Sequence, residues 1–194
     1  MAPFKTAGED GFTTGFFQRA WSVLGNAVCD LVLGVLHSNP LPDGLNSTLI
    51  TLIPKVENPT HIAHFRPISL CNILYKIITK TMVNQLKYVM PFLIGPEQSS
   101  FVPGRQIVDN IVIYQEVLHS MNKAKGVKGY MALKIDLEKA YDRLNWDFLE
   151  LVLSNTGFLD ALINNIMKCV SSATLKLLWD GKKLEGFRPS RGVR

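Results

Sequence analysis

The densest chemical signal in the chain is the segment Lys134-Ile-Asp-Leu-Glu-Lys-Ala-Tyr-Asp142. Just before and into it, Met131, Leu133 and Ile135 alternate with Ala132, Lys134 and Asp136. That period of two predicts a strand over Tyr130–Asp136. Asp136 then stands at the strand's carboxyl end. There its oxygens, a neighbouring main-chain carbonyl and a phosphate ligand could together hold a hard divalent cation. By residue type alone, such an aspartate more often caps a turn. Other chemistries find no support. The chain has no P-loop, no Gly-x-Ser-x-Gly elbow and no His-Glu-x-x-His pair. His37, His61, His64 and His119 do not space as a metal cluster, since His61 and His64 lie in a proline-rich loop with no third ligand close by.

The elements that must position this segment can be read from periodicity. Gly11–Ser38 predicts a helix, with Phe16, Phe17, Ala20, Trp21, Leu24, Val28, Leu31, Val32 and Val35 at helical spacing. Thr48–Ile53 is β-branched and alternating, and predicts a strand. Pro54–Pro67, with Pro54, Pro59 and Pro67, predicts an irregular loop. Ser69–Met90 predicts a helix whose apolar stripe is Leu70, Ile73, Leu74, Ile77, Ile78, Met82, Leu86 and Val89. Helices are further predicted over Gln106–Asn122, from an Asn145 cap to Ser154, and over Leu159–Ser172. Leu175–Trp179 and Lys183–Phe187 flank Asp180-Gly181, a hairpin signal. The mixture indicates an α+β fold rather than a doubly wound parallel sheet.

Composition sets outer bounds. At 194 residues, 47% hydrophobic and 19% charged, the chain is of globular type, long enough for one good-sized domain or two small ones. No apolar run reaches the ~18 residues of a membrane span, and the first residues lack the pattern of a secretory signal. Cys29, Cys71 and Cys169 lie far apart and suit buried thiols in a reducing compartment, so an intracellular location, nucleus or cytoplasm, is expected. Charge is uneven: residues 1–60 carry 3 Lys+Arg against 5 Asp+Glu, whereas residues 61–194 carry 18 against 11. A basic surplus becomes evidence for a polyanionic partner only if it falls around a site.

Five segments in order resemble the reverse transcriptase of LINE-type non-LTR retrotransposons in the plant form, over nearly the whole chain. Thr6-Ala-Gly-Glu-Asp-Gly-Phe12 resembles that family's N-terminal glycine–aspartate segment. Leu52-Ile-Pro-Lys-Val56 with Phe65-Arg-Pro-Ile-Ser-Leu70 resembles its fingers. Gln98-Ser-Ser-Phe-Val-Pro-Gly-Arg105 with Asp109-Asn110 resembles the next block, and Lys134–Arg143 the first catalytic palm motif. Arg191-Gly-Val-Arg194 resembles the start of a block that continues into Gln-Gly-Asp-Pro.

The resemblance implies RNA-templated DNA synthesis, in which a primer 3′-hydroxyl attacks the α-phosphate of a deoxynucleoside triphosphate with two divalent ions, Mg2+ or Mn2+, assisting. The implied partners are an RNA template, a DNA primer and deoxynucleoside triphosphates, with no membrane; the oligomeric state is left open. Asp136 is the implied catalytic, metal-binding carboxylate, with the Leu137 main-chain carbonyl beside it. Tyr141 is the implied aromatic beneath the incoming sugar, excluding a ribose 2′-hydroxyl; a tyrosine that packs a helix would look the same. Arg66 and, less directly aligned, Lys55 are implied to meet the triphosphate. Arg105, Lys182, Lys183, Arg191 and Arg194 would meet nucleic-acid phosphates, or simply be solvated.

The family also needs an aromatic-x-Asp-Asp turn, and these 194 residues contain no Asp-Asp. The expectation is therefore a right-hand polymerase's fingers, about residues 1–129, and the start of its palm, about 130–194. It would end before the second carboxylate motif and the thumb, and be inactive alone. A non-catalytic nucleic-acid-binding or interaction remnant on the same fold is the alternative.

Overall fold

A computed structural model describes residues 1–125 and 129–193. They form two compact units, Met1–Lys80 with Lys139–Arg194, and Thr81–Glu138.

The first unit is built on a four-stranded sheet in the order β2-β1-β3-β4, formed by β1 (Ser47–Pro54), β2 (Phe65–Cys71), β3 (Thr174–Trp179) and β4 (Lys182–Lys183). β1 pairs antiparallel with β2 and parallel with β3, and β3 pairs antiparallel with β4. Register puts Thr48 beside Cys71 and Leu175, and Leu49 beside Leu70 and Lys176. One face therefore carries Thr48, Ile50, Pro67, Ser69, Cys71 and Leu175, and the other Leu49, Ile53, Arg66, Ile68 and Lys176. The first four residues of β1 are buried on both faces, while its last two are exposed. The sheet is thus enclosed at one end and open at the other.

The predicted N-terminal helix is two helices, α1 (Thr14–Arg19) and α2 (Trp21–Leu36). Ala20 between them leaves helical geometry at φ −90°, ψ 11°. Val28, Val32 and Val35 of α2 bury one stripe. α3 (Ile73–Leu86) begins in this unit with Ile73, Tyr75 and Ile78 buried. It starts later and stops earlier than the apolar stripe suggested, because Ser69–Cys71 belong to β2 and a separate turn, α4 (Met90–Leu93), follows. The loop expected to run to Pro67 ends at residue 64. An edge strand accommodates Pro67, since a missing N–H on its outer side forfeits no ladder bond.

The second unit holds the end of α3, α4 and α5 (Ile107–Lys123). The expected strand Tyr130–Asp136 is not formed. Met131, Leu133 and Ile135 are 85%, 75% and 75% exposed. Alternation is necessary for a strand but not sufficient: its N–H and C=O groups need a neighbouring ladder, and among the described residues none pairs with this segment.

In the first unit, α6 (Ala140–Arg143), α7 (Trp146–Asn155) and α8 (Asp160–Ser171) follow. Asn145 caps α7 as its type predicts, accepting from the Asp147 and Phe148 N–H groups. The hairpin turn is also as expected: Asp180 and Gly181 both have positive φ, 47° and 72°, the geometry of a tight two-residue turn. Its return strand is shorter than Lys183–Phe187, with a ladder at Lys182–Lys183 and a single further bridge between Leu175 and Phe187. No helix among the described residues is long and apolar enough to cross a membrane.

Candidate nucleotide-binding site

The β1–β2 hairpin ends in a ten-residue loop, residues 55–64. The Lys55 N–H donates to the His64 carbonyl at 2.7 Å, and Lys55 Nζ donates to the Ala63 carbonyl at 3.1 Å. The Thr60 N–H donates to His64 Nδ1 at 3.2 Å, and the His61 ring meets His64 edge-on at 5.4 Å between centroids. Lys55 is thereby folded against its own loop. Arg66 is exposed in β2 opposite Ile53.

Pro67 and Ser69 of β2 form one side of a shallow pocket whose other lining residues are Lys139, Tyr141, Asp142 and Val193. Lys139 takes left-handed geometry, φ 52°, and caps α6 by accepting from the Asp142 and Arg143 N–H groups at 3.0 and 3.1 Å. The chain's last described turn holds α6 from outside. Gly192 N–H donates to the Leu144 carbonyl at 2.7 Å, Val193 N–H to the Tyr141 carbonyl at 2.9 Å, and Trp146 Nε1–H to the Gly192 carbonyl at 2.8 Å.

The structure thus brings Tyr141 beside β2 but leaves Arg66 on the opposite strand face from Pro67 and Ser69. β2 is an edge strand, so its two faces meet at the sheet's border.

Glu9 lies on the Arg66 face. Its carboxylate accepts from the Ser47 hydroxyl and pairs with Lys176 at 2.6 Å and Lys183 at 3.7 Å. Hydrogen bonds from Lys176 and Ser47 hold the carboxyl below its ordinary pKa, against a smaller opposing effect of burial. Lys183 is therefore partly neutralised, while Lys182 is exposed on β4 and Arg191 is exposed beside a second pocket of about 300 Å3 that also involves Tyr75, Cys169 and Phe187. Burial pushes the Tyr75 phenol up, and the Cys169 thiol up to about 11. Arg194 lies outside the described residues.

In the second unit, Arg105 does not present a free guanidinium. Its two terminal nitrogens donate to the carbonyls of Gly95, Gln98, Pro91 and Ile94, the last three at 2.7, 3.2 and 2.9 Å. In this structure the side chain closes its own loop. Asp136 and Leu137 are exposed and lie outside helix and strand. Their hard oxygen donors suit Mg2+ or Mn2+ in kind. Among the described residues, however, no three His, Cys, Asp or Glu side chains group to hold a metal.

Comparison with known proteins decides the family. The family described as "Reverse transcriptase (RNA-dependent DNA polymerase)" matches residues 53–194. The chain belongs to the reverse transcriptase family. This reverse transcriptase domain is 31% identical, over 98% of its length, to the "Transposon TX1 uncharacterized 149 kDa protein" of Xenopus laevis. It is 26% identical, again over 98%, to the "Retrovirus-related Pol polyprotein from type-2 retrotransposable element R2DM" of Drosophila melanogaster. A type-1 element R2 polyprotein of Nasonia vitripennis is 24% identical over 97% of the chain. The domain is thus of the non-LTR retrotransposon kind, and it spans 14%, 17% and 18% of those three relatives.

Sequence reasoning singled out Tyr141, Arg66 and Lys55, weighed His64 only as a metal ligand, and passed over Trp146 and Gly192, though all three organise their surroundings. Gly192 did fall within a recognised block, Arg191–Arg194. Nothing in residue spacing marks Trp146 as its donor.

Proposed function

We propose that this reverse transcriptase domain receives the incoming deoxynucleoside triphosphate in RNA-directed DNA synthesis, as the fingers and the start of the palm of a right-hand polymerase. In this reading it belongs to a plant LINE-type element and works with an RNA template and a DNA primer in the nucleus or cytoplasm. The observation that carries the reading is the pocket in which Tyr141 lies beside edge strand β2, inside the region that matches the family.

The phenol ring of Tyr141 packs under the sugar and leaves no room for a 2′-hydroxyl, so ribonucleotides are rejected by overlap. Arg66 forks two phosphate oxygens around the edge of β2. Lys55 exchanges its weak tie to the Ala63 carbonyl for a phosphate, a stronger acceptor because it is charged. Lys182 and Arg191 contact nucleic-acid phosphates without reading sequence. Asp136 and the Leu137 carbonyl would hold Mg2+ or Mn2+, which when bound lowers the primer hydroxyl's pKa and neutralises charge on the leaving group.

Calorimetric titration of the 194-residue chain with dCTP and with CTP, each with Mg2+, tests the reading. dCTP should bind more tightly than CTP, and Arg66→Ala should weaken both. Equal affinities, or no binding of either, would refute it.

A further inference from the structure

Tyr141 sits on α6, a helix of four residues that opens on a left-handed residue. An aromatic that discriminates by overlap works only if it cannot retreat. One restraint on α6 comes from sequence about fifty residues further on. Gly192 approaches the Asp142 main chain so closely that a Cβ built on it would lie 2.8 Å from the Asp142 carbonyl oxygen and 3.1 Å from its Cα. Its φ of 87° is also one that side-chain-bearing residues rarely adopt. From this position two consecutive N–H groups reach α6 and its C-terminal border: Gly192 bonds Leu144 and Val193 bonds Tyr141 itself. The Gly192 carbonyl, left pointing away, is taken by the Trp146 indole N–H at 2.8 Å. All of these residues belong to the first unit.

We propose that Gly192 and Trp146 are positioning residues for sugar discrimination: a backbone strap at Gly192-Val193, fastened by the Trp146 indole, holds Tyr141 at the height where it excludes the 2′-hydroxyl. The proposal rests on the nucleotide-binding reading above and deepens it. The strap does not touch substrate. It acts on the position of Tyr141, so its loss changes the ratio of deoxynucleotide to ribonucleotide affinity rather than both affinities alike.

The test measures dCTP and CTP affinity of the 194-residue chain with Mg2+ for the parent and for Tyr141→Ala, Gly192→Ala and Trp146→Phe. Trp146→Phe keeps an aromatic ring and removes the N–H, so it serves if Gly192→Ala fails to fold. Trp146→His, which can restore a ring N–H donor, is the rescue variant. A displacement of about 1 Å suffices for large losses at a positioned site. The dCTP/CTP ratio should therefore fall roughly tenfold in Trp146→Phe and Gly192→Ala, and recover in part in Trp146→His. If Tyr141→Ala lowers the ratio while neither strap variant does, or if the strap variants weaken both nucleotides equally, the strap inference is wrong and the nucleotide reading stands. If Tyr141→Ala itself leaves the ratio unchanged, the gate reading fails and takes the strap with it.

Discussion

The carboxylate of Glu9 and the ammonium of Lys176 lie 2.6 Å apart, joining the N-terminal segment to β3 across 167 residues of sequence. The neighbouring residue reinforces the join. Gly8 is buried so tightly against Asn72 that an added Cβ would lie 2.3 Å from the Asn72 side-chain oxygen. Asn72 Oδ1 accepts from the Asp10 N–H, and its Nδ2 donates to the Gly44 and Leu45 carbonyls. The segment before the first helix is therefore part of the sheet's framework.

Glu9→Gln should lower stability by about 1–2 kcal/mol, since it removes a charge-assisted bond while leaving a shape that fits. The carboxyl's pKa lies below its ordinary 4.5 in the folded chain. Its contribution is therefore complete above that value and is lost as pH falls through the lowered native one. Denaturant melts of parent and variant should differ at pH 7 and draw together as pH falls below 4.5. A constant difference across that range would contradict the assignment.

His64 should control the tip loop through one acceptor. His64→Ala removes the partner of the Thr60 N–H, whereas His64→Asn keeps an oxygen near the same place. Amide exchange at Thr60 and Lys55 should quicken by about tenfold in the alanine variant and return most of the way in the asparagine variant. Equal exchange in all three proteins would mean that the loop is held elsewhere.

Arg105 and the lysines of β4 should separate in their effects. Lys182→Ala should weaken RNA–DNA hybrid binding and flatten the dependence of log affinity on log salt by about one unit. Arg105→Ala should leave that slope unchanged and instead destabilise the Pro91–Arg105 region by roughly 2–3 kcal/mol, because four charge-assisted bonds to main-chain carbonyls are lost. A slope that falls in Arg105→Ala would instead make Arg105 a phosphate contact.

The three thiols should alkylate in order of exposure. Cys29 is exposed, Cys71 intermediate and Cys169 buried, with the Cys169 thiol pushed up to about 11 by burial. The thiolate is the nucleophile, so at pH 8 iodoacetamide should label Cys29 first and leave Cys169 untouched until the chain is unfolded. Peptide mass mapping reads the result; early labelling at Cys169 would contradict its burial.

Local signals reached far in this chain. The paired apolar spacing of α2 and α3, the Asn145 cap and the Asp180-Gly181 turn are determined by residues within one or two turns of each other, and all were legible. So was the family, whose motifs are strings of residue types. What the sequence could not decide depends on partners distant along the chain. Phe65–Cys71 became a strand because β1 lay ready to pair with it, while Tyr130–Asp136, with the cleaner alternation, stayed unpaired among the described residues. Arg105 reads as a surface cation until four carbonyls converge on it. Tyr141 reads as a lone aromatic until the Val193 N–H takes its carbonyl and the Trp146 indole takes that of Gly192. Backbone hydrogen bonds are satisfied by whichever groups the fold brings near, and only the tertiary structure says which those are.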